Sequence, residues 1–319
     1  MVDTVAFVEA FEVVRSLTLE ETEEVVTVSP RISTDGTGEL LVADPQEAQV
    51  RVYDRYGSLR GVLGRKGTGP GEFQMPLSAR RATDGRIVVA DAMLARVTFF
   101  APESDSTSTV IPPVQLIMDA YDLDNDRFLF AGPGGEGDAP RFLHIWNAQE
   151  DRVERRFLPM GVPEESRAVA STFTSVSAAL EADTIWAVWA LSDTLYKFSR
   201  RGDALGKLPL ALPRPMGQLP TPDEFAVGYT GMSGALDSIT QLSDVFVTAG
   251  GDMVIQAVQP RGRLFECDLL IMNRLGQVQL QLVGSPRLLL VDQDLFYFAD
   301  PTHLIPNRIV VAKRRINSQ

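Results

Sequence analysis

The chain has 319 residues and a formal net charge of −12, from 42 acidic and 30 basic side chains. This charge argues against nucleic-acid binding, because proteins that bind phosphate backbones do so through clustered Lys and Arg side chains that displace counterions. A hydrophobic fraction of 45% suffices for a buried core. The sequence has no apolar run of about 18 residues that could span a membrane. The composition therefore predicts a soluble, mostly globular chain.

The first recognisable pattern is a repeat on either side of residues 64–76, which read GRKGTGPGEFQMP. Each copy has an Asp-Gly turn, Asp35-Gly36 and then Asp84-Gly85, followed by a β-rich run ending in Ala-Asp and by a second β-rich run. A unit of about 40 to 50 residues is the size of one propeller blade. The glycines of residues 64–76 are interpreted as positive-φ positions in a tight connection between blades.

The letters GTGPGEFQMP, followed by DGRIVVAD and RVTFF, resemble the repeat signature of NHL-type β-propellers. The similarity covers residues 64–100 and, less well, residues 32–64. It implies an all-β fold built of four-stranded blades. Some NHL propellers bind RNA, and the acidic charge of this chain departs from that type. Bacterial propellers that look like this are commonly exported.

Six hairpin turns indicate the number of blades, because a short turn rich in Asp, Gly and Asn between alternating apolar runs is the strongest local hairpin signal. They lie at residues 35–38, 84–85, 124–126, 181–183, 250–252 and 292–294. Three further sequences, YDRYGSL, FSRRGDAL and MNRLGQV, predict turns between third and fourth strands at residues 53–59, 198–205 and 272–278.

The last blade lacks one strand, since only residues 287–291, 295–299 and 308–313 are available to it. Residues 13–19 (VVRSLTL) alternate like a strand and can pair with it, which would close the ring and remove free sheet edges. We therefore predict an all-β, six-bladed β-propeller with four-stranded antiparallel blades. Residues 1–319 are predicted to form one domain, with residues 210–237 as a long insertion between blades.

Metal chemistry has little support in the sequence. The two histidines are His144, in a predicted strand, and His303, in a loop. Amidating lyases on the related scaffold use a multi-histidine zinc centre, and two histidines in different blades cannot supply its three ligands unless Cys267 or carboxylates substitute. Asp122, Asp124 and Asp126 alternate as in a calcium loop, but the required Gly and bidentate Glu are missing, which favours a hairpin turn. No metal and no other cofactor is predicted.

Nucleophilic catalysis is no better supported. Cys267, the one cysteine, lies in an apolar run and is interpreted as a small buried hydrophobe. Residues 231–235 read GMSGA, in which Ala235 replaces the last glycine of a nucleophile elbow. Trp186 and Trp189 are expected to pack between blades. No catalytic residue is predicted.

The long loops of the predicted propeller lie on one face, where connections between blades meet the turns between second and third strands. On a rigid scaffold, such loops are the expected binding groups. The insertion at residues 210–237 enters this face as a lid or as a loop packed on the rim. The predicted ligand- or partner-binding residues are Asp91, Arg96, Arg261, Arg263, Phe225, Tyr229, Asp300 and His303. For Arg96, an ion pair with a carboxylate such as Asp91 is the favoured alternative to ligand binding.

The sequence thus favours a non-catalytic binding or interaction module for a protein or peptide partner, with a small-molecule ligand as a second option. The alternative function is a hydrolase or lyase with a metal-dependent site in the central channel. Residues 1–12 lack the basic start and apolar stretch of a signal peptide. The resemblance to exported propellers favours an extracytoplasmic location.

Overall fold

The computed structural model describes residues 2–21, 31–34, 36–102, 106–124, 126–134, 140–162, 164–170, 175–217, 219, 239–261, 264–300 and 307–315. Almost all of its regular structure is β, arranged in six four-stranded antiparallel sheets. Each sheet is one blade, so the predicted six-bladed β-propeller is confirmed. No helix in these residues is long and apolar enough to cross a membrane.

The chain begins with helix α1 (Thr4–Ala10) and strand β1 (Phe11–Thr18). Blade one consists of β2 (Arg31–Thr34), β3 (Leu40–Asp44), β4 (Gln49–Tyr53) and β5 (Leu59–Leu63). Blade two consists of β6 (Pro76–Arg81), β7 (Ile87–Asp91), β8 (Arg96–Phe100) and β9 (Thr107–Val110). Blade three consists of β10 (Asp119–Asp124), β11 (Arg127–Gly134), β12 (Arg141–Asn147) and β13 (Arg152–Pro159).

Two short helical turns follow, a 3-10 turn (Glu164–Ser166) and α2 (Arg167–Ala170). Blade four consists of β14 (Val176–Glu181), β15 (Thr184–Trp189), β16 (Thr194–Ser199) and β17 (Ala204–Pro209). Blade five consists of β18 (Gln241–Val247), β19 (Met253–Arg261), β20 (Leu264–Met272) and β21 (Val278–Ser285). The last strands are β22 (Leu288–Asp292), β23 (Leu295–Ala299) and β24 (Arg308–Arg314).

The sixth blade is completed by the N-terminal strand, as predicted. Its strand order is β1-β24-β23-β22, so β1 lies beside β24 and supplies the missing fourth strand. The strand covers residues 11–18 rather than 13–19. Phe11 and Leu17 are buried along it, and so is the following Leu19. Removing this strand would therefore expose both a sheet edge and an apolar face.

Local sequence explains the central strands and their turns. The runs LLVAD and IVVAD in β3 and β7 are buried on both faces, as β-branched and apolar residues in a central strand should be. Gly36 and Gly85 follow the aspartates of their turns with φ of 79° and 87°, a conformation that favours glycine. The aspartates that alternate as in a calcium loop lie in the β10-β11 hairpin, in which Asp124 pairs with Arg127, so the hairpin predicted there is confirmed.

The chain divides into two compact units. Unit one contains Met1–Phe11, Leu158–Arg287 and Arg315–Gln319, and it holds blades four and five. Unit two contains Glu12–Phe157 and Leu288–Arg314, and it holds blades one, two, three and six. Each unit has its own apolar core, around Trp186, Leu195 and Ile255 in unit one and around Val88, Phe128 and Trp146 in unit two. A single domain stays a prediction.

Candidate functional site

The connection between blades one and two, residues 64–76, is held by its own hydrogen bonds. The Glu72 carboxylate accepts from the Gly69 backbone N–H at 2.9 Å and from Arg65 Nε at 2.9 Å. The Gly69 N–H and the Arg65 charge lower the pKa of Glu72. Phe73 is fully buried beneath the loop. Gly64 has φ 76°, and a Cβ there would lie 2.3 Å from the Phe73 ring, so this position requires glycine.

Asp91 and Arg96, two of the predicted binding residues, hold this same connection. They face each other as the last pair of β7 and β8. Asp91 is completely buried and accepts from the backbone N–H groups of Gln74 at 2.7 Å and Met75 at 3.2 Å. Arg96 is 8% exposed and donates to the carbonyl oxygens of residues 68, 69 and 72.

The predicted ion pair of Arg96 with a carboxylate is replaced by a clamp on three carbonyl groups. The sequence pattern placed Arg96 correctly at the start of a third strand, but it could not show that the neighbouring loop turns its carbonyls towards the guanidinium. A ligand contact by Asp91 or Arg96 stays a prediction, and their burial favours a structural role.

The insertion between blades four and five begins with an ordered segment, residues 210–217, which we call the strap. The Leu210 backbone N–H donates to the Asp193 carbonyl at 2.7 Å. Thr240, just after the insertion, donates from its backbone N–H to the Met216 carbonyl at 3.1 Å. Gln281 Nε2 donates to the Ala211 carbonyl at 2.6 Å. The strap therefore contacts the β15-β16 turn.

Arg214 anchors the middle of the strap to blade five. Its Nη1 donates to Gln259 Oε1 at 3.1 Å and to Glu266 Oε2 at 2.5 Å, and its Nη2 lies 3.0 Å from Asp268 Oδ1. Asp268 is 3% exposed, and burial raises its pKa above the ordinary value. Arg214 thus contacts two carboxylates that differ in burial. Glu266 is partly exposed, whereas Asp268 is buried, and burial makes its ionisation costly.

A groove of about 540 Å³ lies along the strap. Its lining is mostly apolar, with a single carboxylate. The lining residues are Asp193, Leu210, Ala211, Leu212, Pro215, Met216 and Gly217. The walls come from the strap and from the turn that precedes β16, so the groove belongs entirely to unit one. Such a groove can take an apolar group next to a cation.

The other predicted site residues are placed only in part. Phe225, Tyr229, Arg263 and His303 lie outside the described residues. The backbone of Arg261 ends β19, where it pairs with Leu264 in the β19-β20 hairpin. Asp300 follows β23 and donates from its backbone N–H to the Arg308 carbonyl at 3.0 Å. Ligand contacts by these six residues stay predictions.

The His144 imidazole and the Cys267 thiol are both buried. His144 Nε2 lies 3.0 Å from the Gly132 carbonyl and 3.1 Å from the Arg141 carbonyl, so it carries the proton. Burial lowers the pKa of His144 to about 4 and raises that of Cys267 to about 11. Within the described ranges, no group of three or more His, Cys, Asp or Glu side chains is placed to hold a metal ion.

Sequence reasoning missed Arg214, the residue that anchors the strap to blade five. The available signal was weak: one arginine between two prolines, in an insertion whose charged partners lie about 50 residues later in β20. Nothing in the local pattern pairs them, because the contact is made only after blade five has folded.

No family model matches this chain, and no curated protein matches it. Solved structures do match. A Bacteroides fragilis protein described as exported is 12% identical with TM-score 0.64, covering 99% of this chain and 98% of that one. A member of the DUF4221 family from Bacteroides vulgatus is 8% identical with TM-score 0.65, covering 96% and 97%.

Virginiamycin B lyase from Staphylococcus aureus, solved with quinupristin as a catalytically inactive variant, is 10% identical with TM-score 0.55. The match covers 92% of this chain and 83% of the lyase. At these identities the likeness is one of fold, so it supports a β-propeller and carries no activity over to this chain.

Proposed function

We propose that this chain is a non-catalytic binding module that recognises a protein or peptide partner at the groove along the strap. The observation that carries the proposal is the anchored strap itself. A proline-bearing segment is fixed at Leu210, Arg214 and Met216, and it leaves an apolar groove beside it. A fixed wall reduces the ordering cost of binding, which is what a recognition surface requires.

The lining predicts the chemistry of the partner. Leu210, Leu212 and Met216 offer apolar contact to one inserted side chain, in the manner of an anchor residue at an interface. Asp193 is exposed at the groove and the whole chain is acidic. We expect a peptide with an apolar anchor and a nearby Lys or Arg.

The test is selection of a displayed random peptide library on the folded chain, followed by fluorescence anisotropy with the enriched synthetic peptides. Ala211 is exposed and lines the groove, so Ala211→Arg would fill the groove without removing a core side chain. We expect the peptides to bind this variant about tenfold or more weakly.

The matched control is Ala204→Arg, because Ala204 is also exposed but lies on β17 outside the groove. It should bind as the unmodified chain does. Enriched peptides that bind the Ala211→Arg variant as tightly as the unmodified chain would refute the assigned surface. A library that yields no enriched peptide, together with turnover of a small-molecule substrate by the same preparation, would instead support the hydrolase or lyase alternative.

The finer identity of the propeller is part of the same proposal. We place the chain among NHL-like propellers because the sequence GTGPGEFQMP forms a tight connection between blades one and two. We also propose an extracytoplasmic location, supported by the exported Bacteroides neighbour. Fusion of the complete natural gene product to a reporter active only outside the cytoplasm tests that location.

A further inference from the structure

A charged cluster lies on the first strands of blades one, two and three, within unit two. Arg80 in β6 holds Asp119 in β10 through two contacts, Nε to Oδ1 at 2.9 Å and Nη2 to Oδ2 at 2.7 Å. Arg31 in β2 brings its Nη1 to 4.0 Å from the same Oδ2. Two guanidinium groups therefore share one carboxylate.

The three side chains come from neighbouring strands. Strand β6 contacts both β2 and β10, so it lies between them. Arg31 must then extend across β6 to approach Asp119. The Arg80 guanidinium also lies over the Tyr121 ring, 4.1 Å from its centroid, which fixes the plane of the fork.

The three charged side chains differ in their exposure to solvent. The Asp119 side chain is 3% exposed, whereas those of Arg31 and Arg80 are 27% and 36% exposed. Although burial acts to raise the pKa of Asp119, the Arg80 guanidinium holds it at about 2, so the carboxylate stays ionised. The cluster therefore presents two cations to solvent over one buried anion, with one positive charge in excess.

Arg31 has unused donors. A separation of 4.0 Å is longer than a hydrogen bond, and Arg31 makes no side-chain hydrogen bond to any described residue. A guanidinium has five N–H donors in a planar fork that matches the two oxygens of a carboxylate. The half-buried Arg31 guanidinium, next to that of Arg80, therefore has donors available for a second carboxylate.

We propose that Arg31 and Arg80 form a binding site for a carboxylate, on a small organic acid or on the end of a peptide. A single excess positive charge matches a monoanion. The inference does not rest on the proposed function, because the cluster and the groove belong to different units.

The test follows the Nε–H signals of Arg31 and Arg80 by ¹⁵N NMR during titration with acetate, with chloride at equal ionic strength as reference. Saturable shifts are expected with acetate. Arg31→Gln should weaken acetate binding about tenfold, as measured on the Arg80 signal, because a charged bidentate contact is lost. The acetate affinity of Arg31→Lys should lie between those of Arg31→Gln and the unmodified chain, since lysine keeps the charge but lacks the planar guanidinium.

The matched control is Arg60→Gln, because Arg60 is a largely exposed arginine already paired with Asp54. It should leave the acetate titration unchanged. Equal shifts in Arg31→Gln and in the unmodified chain would overturn the site, as would shifts that never saturate. A short peptide with a free carboxyl end, compared with its amidated form, then distinguishes the source. Tighter binding of inorganic phosphate than of acetate would overturn the carboxylate assignment.

Discussion

Two connections between blades are built in opposite ways. Residues 64–76 turn their polar groups inward, where Asp91 and Arg96 take up the backbone N–H and carbonyl groups. The strap, residues 210–217, is fixed at a few points and leaves an apolar groove along its length. The first connection has the most recognisable sequence in the chain, and its polar groups are committed to folding. A conspicuous motif can therefore report architecture, while the binding surface that we propose is formed by a segment with no motif.

The largest expected effect is on the first connection. Arg96→Gln should lower the free energy of unfolding by about 3 kcal/mol, because three carbonyl groups lose a buried charged donor. Urea unfolding measures it. Arg65→Gln is the control in the same loop: Arg65 is 81% exposed, and its ion pair with Glu72 should contribute little. Equal losses in the two variants would show that the Arg96 clamp is not what holds the loop.

Gly64→Ala should cost somewhat less, about 2 kcal/mol, because it combines a positive φ with a clash against the Phe73 ring. Gly61→Ala is a matched control, since a Cβ at Gly61 would meet no atom within 4 Å. Thermal unfolding of both variants makes the comparison. A larger loss in Gly61→Ala would contradict the proposed cause.

The strap should respond locally rather than globally. Arg214→Gln is expected to reduce stability by about 1 to 2 kcal/mol, since the guanidinium is partly exposed and only its charged hydrogen bonds are lost. Amide hydrogen exchange should accelerate over residues 210–217. Arg274→Gln, which breaks the exposed ion pair with Glu181, is the control and should leave those amides unchanged.

Acid should have a smaller effect, and the two connections should respond to it in different ways. The pKa of Asp268 is raised by burial, so its protonation does not destabilise the fold as a whole, although it weakens the contact with Arg214. The pKa of Glu72 is lowered by the Gly69 N–H and by Arg65, so the contribution of Glu72 is lost as pH falls through that lowered pKa.

Amide exchange measured along a pH series, corrected for intrinsic rates, checks the response of the strap. Exchange across residues 210–217 should accelerate as Asp268 becomes protonated, and Asp268→Asn should remove that step. An unchanged profile in this variant would contradict the assignment.

The sequence predicted what local patterns encode. Asp-Gly turns and alternating runs gave six blades, and residues 13–19 gave the closing strand to within two residues. Contacts between distant segments could not be predicted from the sequence, because they depend on how the blades fold. The Arg96 clamp, the Arg214 anchor and the Arg31 and Arg80 cluster are all of this kind. Each joins residues 24 to 88 positions apart in the chain.

The most direct test of the proposed binding surface is an amide-exchange footprint of an enriched peptide on the unmodified chain. We predict slower exchange across residues 210–217 and around Asp193, with residues 64–76 unchanged because their polar groups are already hydrogen-bonded within the fold. Protection of residues 64–76 with no change along the strap would contradict it.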